Sequence, residues 1–307
     1  MKSAITAIVK SLRALKSEGV ERIVVADETL AELREILENS PQHADADSQK
    51  TRAETSTHAR VSTHVSEREI SPEPAHVSAP TPAKPAFPPP PKISAPTAGT
   101  KTERLDAVRE TMLADAVCRE HCHAGKKLVF GCGNPDSPVL FCGEAPGAEE
   151  ETQGEPFVGP AGQLLTKIIA ATGLTRDSVY IANIMKWRPE MPTAFGNRPP
   201  TPEEMAYCLP FLEAQIEIIR PRAIVALGLT ALNGLLGNDP DRKMGAVRGK
   251  KFEFRGIPLV PTYHPSYLLR NGTMKSKRLV WEDFMTMMEI IDLPISPKQR
   301  GYFLPKM

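Results

Sequence analysis

VLFCGEAPGAEEETQGEPFVGPAGQLLTKIIAAT, residues 139–172, holds the two patterns that decide the fold. It opens on an apolar run with a β-branched residue, Val139 to Cys142, and closes on a helical pattern, Gly162 to Thr172. Strand, loop and helix here form the first unit of an alternation that continues down the chain. Apolar, β-branched runs recur at Val179 to Ile184, Ala223 to Leu227 and Ile257 to Val260, with helical patterns at Pro202 to Ile219 and Leu229 to Leu236. Four strands separated by helices predict an α/β chain, a three-layer α/β/α sandwich around a mostly parallel four-stranded sheet. Ligands bind such sheets beyond the carboxyl ends of the strands. The residues that follow each strand are therefore the candidates for chemistry.

After the first strand, Gly143 to Gly162 holds five glycines and three prolines in twenty residues. That composition describes a tight, preshaped loop whose backbone can approach a ligand closely. Gly159 to Gly162 opens a helix, whose N-terminal amides favour an anion. Phe157 has no helix or strand face to join, and a flat ring on a rigid loop suits stacking on a planar base. At the end of the second strand stands Asn183, followed by Lys186, Trp187 and Arg188. Its amide presents both a donor and an acceptor, enough to read the O4 and N3–H edge of a uracil while mismatching cytosine. After the last strand comes PTYHPSYLLR, residues 261–270, in which His264 is fixed between Tyr263 and Pro265 and is well placed to donate a hydrogen bond.

Towards the N-terminus the character changes. Residues 1–40 carry apolar residues at helical spacing (Ile5, Ile8, Val9, Leu12, Leu15, then Leu30, Leu33, Ile36, Leu37), with Asp27 or Thr29 to cap the second helix. This segment is expected to be either a docking element for a protein partner or an arm on its own catalytic domain. Residues 41–100 read as a proline-rich linker, extended and disordered, with almost nothing to fill a core. Residues 101–307 are the expected catalytic domain.

The net charge is +1, so the chain as a whole predicts no polyanion partner. Between Arg242 and Arg278, however, ten basic residues stand against one acid, Glu253, which makes a candidate phosphate-binding surface. No apolar run approaches the roughly 18 residues needed to span a bilayer, and the charged N-terminus lacks a cleavage site, so no secretory signal is expected. The expectation is a cytoplasmic, nucleoid-associated monomer with no membrane contact. Five cysteines, an odd number in a long chain, read as free thiols or metal ligands.

GEAPGAEEETQGEPFVGPAGQLL, the asparagine of IANIMKWRP, and HPSYLLR together resemble the three signature segments of family 4 uracil-DNA glycosylases, at fitting separations. VFGCGNPDSPVLF is similar to the segment leading into the first of them, and the resemblance covers about residues 105 to 290. It implies a DNA-repair enzyme that hydrolyses the N-glycosidic bond of a flipped-out uracil and so initiates base excision repair. Phe157 would stack on the uracil and Asn183 would read its polar edge. His264 would bond O2 and stabilise the departing anion. Glu150 would position or activate water, with Glu144 and Glu151 as competing carboxylates. Backbone groups of Gly143 and Ala145 would line the pocket. Ser266, Leu268 and Arg270 would press into DNA, with Leu268 or Leu269 filling the vacated stack.

Family 4 enzymes also carry a 4Fe–4S cluster on four cysteines: an N-terminal C-x-x-C pair, a third four positions after the asparagine, and a fourth in the following helix. Here the pair would be Cys118 and Cys122, spaced C-x-x-x-C, and the fourth Cys208. The third position is Trp187, which cannot ligate iron. Cys132, Cys142, His121 or His123 remain as substitutes. The expectation is no cofactor, with the 4Fe–4S cluster as the alternative and Trp187 filling the emptied volume. Two further readings stay open: a cross-linking relative in which His264 attacks the sugar, and a non-catalytic DNA-binding accessory protein. The first of these carries an Arg-Val-His-Gly-like string before the last strand, where this chain has Met244 to Gly249 without a histidine. The second would lack Asn183 or His264, and both are present.

Overall fold

The alternation read from the sequence closes into a six-stranded sheet. The computed structural model describes residues 87–190 and 197–304, so the expected helical segment 1–40 and the linker up to residue 86 lie outside the described residues. The strands are β1 (Cys132–Gly133), β2 (Val139–Gly143), β3 (Tyr180–Asn183), β4 (Ala223–Leu227), β5 (Phe252–Phe254) and β6 (Ile257–Thr262), in the order β1-β3-β2-β4-β6-β5. The four expected strands form the parallel centre, β3-β2-β4-β6. The expected four-stranded sheet is thus widened by β1 and β5, short strands that pair antiparallel on the two edges. They are too short for a period of two to show in the sequence.

Alternation along the strands sends side chains to two separate cores. Leu140, Cys142, Ala182, Ile224 and Ala226 face one way, towards α1 (Lys101–Ala114), α5 (Pro202–Ile219) and α6 (Leu229–Leu236). Val139, Phe141, Ile181, Val225 and Leu227 face the other, towards α4 (Pro160–Thr172) and α9 (Met274–Ile290). Burial on both faces explains why these strands read as continuous apolar runs. Helix starts follow capping chemistry. Thr201 caps α5 through the Glu204 amide with Pro202 in the first turn, and Thr100 and Glu103 make a reciprocal capping box at α1.

The expected linker does not remain unpacked to residue 100. Phe87, Ile93 and Ala95 lie against the core on the α1 side, and Arg104 donates to the Pro96 carbonyl. Residues 87–97 carry neither helix nor strand. Proline density could not show that three apolar side chains among the prolines find partners far along the chain.

The chain passes from β2 out to β3, then crosses back to β4 on the other side of β2. That reversal opens a crevice at the carboxyl ends of the strands. Gly143 pairs with Asn183, and Leu227 with Thr262, so the strand tips are level where the three sequence motifs emerge.

Candidate active site

The first motif folds into a loop knotted by one carboxylate. Within it α3 (Ala148–Gln153) carries Glu150, whose Oε1 accepts from the Val158 and Gly159 amides, both at 2.9 Å, and whose Oε2 accepts from the Gly147 amide at 3.1 Å. Phe157 sits in the left-handed region at φ 55°, a strained backbone for a bulky residue. Gly162 permits this, because a Cβ there would lie 1.8 Å from the Phe157 carbonyl oxygen. The ring is thereby pushed over Gly143. A Cβ on Gly143 would come within 2.2 Å of Asn183 Oδ1 and 2.5 Å of Phe157 Cζ, so only glycine lets these two groups meet.

Asn183 ends β3 and is 2% exposed. Its backbone carbonyl accepts from Lys186 Nζ at 3.0 Å, and that buried ammonium also bonds the Phe130 carbonyl and Gln215 Oε1. Burial pulls the Lys186 pKa down to about 8. Asn183 Oδ1 has no hydrogen-bond partner among the described residues. A buried acceptor without a partner is costly, and its position beside a cleft marks a place for a ligand's donor.

His264 is the N-cap of α8 (Pro265–Arg270). Its Nδ1 accepts from the Ser266 amide at 3.2 Å and lies 2.8 Å from Ser266 Oγ. An accepting Nδ1 leaves the proton on Nε2, which is the donor the ring can offer. Burial first, then the nearby Arg270, lowers its pKa to about 4, with Glu150 opposing, so the imidazole is neutral at ordinary pH. The Phe157 and His264 rings stand 5.6 Å apart.

These groups share a cleft of about 500 Å³ lined by Glu144, Ala145, Glu150, Phe157, Asn183 and His264, and by Ser266 and Arg270 at its mouth. Burial raises the Glu144 carboxyl above the usual range, partly offset by the Thr230 hydroxyl. Glu151 does not line the cleft. It is buried, hydrogen-bonded to His123 at 2.6 Å and ion-paired with Arg188 at 2.9 Å. Of the two leucines expected at the vacated stack, Leu268 is 8% exposed and packs in the core with Val280 and Phe284, whereas Leu269 is 52% exposed. Neighbours on a helix turn about 100° apart, so the turn that buries Leu268 carries Leu269 outward.

The sequence did not single out the cleft's aromatic wall. Arg248, paired bidentately with buried Asp283 at 2.7 and 2.8 Å, lies over the Tyr263 ring, which stacks on Tyr267 at 4.3 Å. Asn197 and Thr230 also line the cleft and carried no sequence signal. Of the ten basic residues expected as a surface, Arg242, Arg248, Arg255 and Arg278 are held in ion pairs, while Lys243, Lys250, Lys251, Arg270 and Lys275 are exposed.

The residues at the expected iron–sulfur positions do not fit such a cluster. Trp187 is buried with its ring parallel to His121, centroids 5.0 Å apart. Cys118 and Cys208 are fully buried in the same core cluster as Trp187. Cys122 is half-buried, with its thiol towards the Lys126 carbonyl. Among the described residues, no three His, Cys, Asp or Glu side chains are grouped to hold a metal.

Comparison with known proteins agrees with the geometry. Residues 130–285 match the family model described as the uracil DNA glycosylase superfamily. A type-4 uracil-DNA glycosylase of Thermotoga maritima is 44% identical over 185 residues, covering 60% of this chain and 93% of that protein. The type-4 enzyme of Sulfurisphaera tokodaii is 36% identical over 211 residues, covering 66% and 91%. That of Archaeoglobus fulgidus is 41% identical over 180 residues, covering 56% and 86%.

Proposed function

We propose, from the premise that this chain belongs to the uracil DNA glycosylase superfamily and to its type-4 branch, that the cleft at the strand tips is where it excises uracil. The chain is a DNA-repair glycosylase, a hydrolase of N-glycosyl bonds acting on uracil in DNA. Neither the cross-linking nor the non-catalytic reading is favoured.

In our reading the uracil leaves the helix, stacks on Phe157 and lies above Gly143. Asn183 Oδ1 accepts from N3–H and Nδ2 donates to O4. Cytosine, which has no N3–H and carries an amine at C4, leaves that acceptor unpaired, and an unpaired buried group discriminates strongly. As the C1′–N1 bond breaks, its electron pair passes to the base and spreads to O2, where the neutral His264 donates from Nε2. Water adds to the oxocarbenium carbon and loses its proton to a carboxylate. We assign that task to Glu144 and not Glu150, because three backbone amides already occupy the Glu150 oxygens while Glu144 lines the cleft with a carboxyl raised by burial. Leu269 replaces Leu268 as the wedge for the vacated stack, with Ser266, Arg270 and the exposed lysines on phosphates.

The chain, on this reading, works without an iron–sulfur cluster, given a buried tryptophan, stacked on His121, at a position where the cluster needs a thiolate. Its catalytic unit starts near Phe87, not residue 101.

One observation carries the proposal: ring, amide and imidazole, from three distant motifs, converge on one cleft. The test is incubation of the full-length protein with a uracil-containing oligonucleotide followed by alkali. Strand cleavage, lost in Glu144→Gln and kept in good part in Glu150→Gln at matched folding, supports the assignments. An SDS-resistant shifted band would instead mean cross-linking. The reverse ranking of the two carboxylates would overturn the role given to Glu144.

A further inference from the structure

Resting on the cluster-free reading, we propose that a column of stacked rings, Phe87–His121–Trp187 with Tyr207 against its flank, fastens the segments that a cluster would otherwise join. The end of the proline-rich segment is thereby a structural part of the catalytic unit.

A metal held at Cys118, Cys122, position 187 and Cys208 would cross-link three stretches: α2 (Ala116–Glu120) with its following turn, the segment after β3, and α5. The rings link those same three. His121 caps the end of α2, Trp187 follows β3, and Tyr207 lies on α5. His121 stacks on Trp187 at 5.0 Å and 11°, and Tyr207 is tilted against Trp187 at 6.3 Å. The Tyr207 hydroxyl donates to Asp115, whose Oδ1 also accepts from the Cys118 amide and so caps α2. Cys118 and Cys208 behave here as small apolar side chains in the same core cluster. Rings in offset or edge contact hold one another in preferred geometries, so this fastening needs no metal.

The fourth ring comes from outside the expected domain. Phe87 stacks on the other face of His121 at 5.4 Å and 17°, and meets Tyr207 edge-on at 5.6 Å. Four prolines follow it, Pro88 to Pro91, and then Ile93 packs on the core. Prolines fix φ and restrict the unfolded chain, so the run acts as a stiff strut that delivers the ring at reduced entropic cost. A flexible linker would gain nothing from this arrangement.

The test uses the full chain produced with ample iron. Iron, acid-labile sulfide and the visible spectrum are measured on wild type and Cys122→Ser. Thermal melts, with and without a chelator, are run on wild type, Phe87→Ala, Phe87→Leu, His121→Ala and the Phe87→Ala/His121→Ala double variant. We expect colourless protein without cluster iron and melting indifferent to chelator. Phe87→Ala and His121→Ala should each lower the melting temperature by about 2–4 °C or more, Phe87→Leu less, with the double variant losing less than the two together because the rings share contacts. Cluster iron that disappears in Cys122→Ser would overturn the cluster-free reading and the column with it. Iron-free protein in which Phe87→Ala melts as wild type does would overturn the column alone.

Discussion

Asn183 and Trp187 stand four residues apart at the tip of one strand, and each buries a polar atom without a partner among the described residues, Asn183 Oδ1 and Trp187 Nε1. The two atoms mean opposite things. Oδ1 borders a cleft of about 500 Å³, with a neutral imidazole and a strained phenylalanine beside it. The Trp187 ring is buried against His121 and Tyr207 and does not line that cleft. Leaving such an N–H unsatisfied costs about 1–3 kcal/mol, which the stacking of a large ring offsets at roughly 0.5–1.5 kcal/mol per pair beyond its buried area. An unpartnered buried atom is thus a sign of ligand recognition only where there is room for the ligand. Lys186 sits between the two regions, tying the Asn183 carbonyl to the β1-side backbone at Phe130.

The sharpest way to break this contrast is to remove the cleft's groups. His264→Ala should slow single-turnover uracil release by about 10²–10³-fold, the usual loss for one oxyanion donor, with stability lowered only by the lost α8 cap, about 1 kcal/mol. Gly143→Ala should slow it by about 10²-fold, because the added methyl displaces the Asn183 amide and the Phe157 ring together. Wild-type rates in either variant would remove the cleft from the chemistry.

Trp187→Ala should show the reverse pattern. Emptying a fully buried tryptophan site costs about 3–5 kcal/mol of stability, measured by denaturant unfolding, while release at low temperature falls far less than in His264→Ala. Equal collapse of both readouts would mean that the column and the cleft are one unit.

A smaller effect follows from Lys186. Its folded pKa of about 8 lies below the ordinary lysine value of 10.5, so the unfolded chain binds more protons between those values and stability from this group rises with pH across that window. Measured as the difference between wild type and Lys186→Met, the cysteine titrations common to both cancel. The wild type should gain relative to the variant from pH 8 to 10. A flat difference would show that the ammonium is not confined as described.

The finest prediction concerns a single proton. Nitrogen-15 NMR of His264 should report the Nε2–H tautomer at neutral pH and a midpoint near 4. Charging the ring removes the Nδ1 acceptor of the Ser266 amide, so the α8 cap weakens as pH falls through that value. His264 is depressed from 6.5, so its contribution to stability is lost as pH drops from there towards 4. A midpoint near 6.5 would place the ring in water and away from the cleft.

Periodicity and composition by themselves determined the parallel centre of the sheet, three of its covering helices (α4, α5 and α6), and the three motifs at the strand tips, because each is written in contiguous residues. Phe157, Asn183 and His264 were legible for that reason, with the family resemblance supplying their roles. Contacts between distant segments were not legible. The tertiary structure alone decided that Leu269 and not Leu268 faces outward, since helix phase depends on what α8 packs against. It alone separated Glu144 and Glu150 from Glu151, which is turned towards His123 and Arg188. And it alone brought Phe87 from among the prolines onto His121, because a ring finds its stacking partner through space and leaves no period in the chain to announce it.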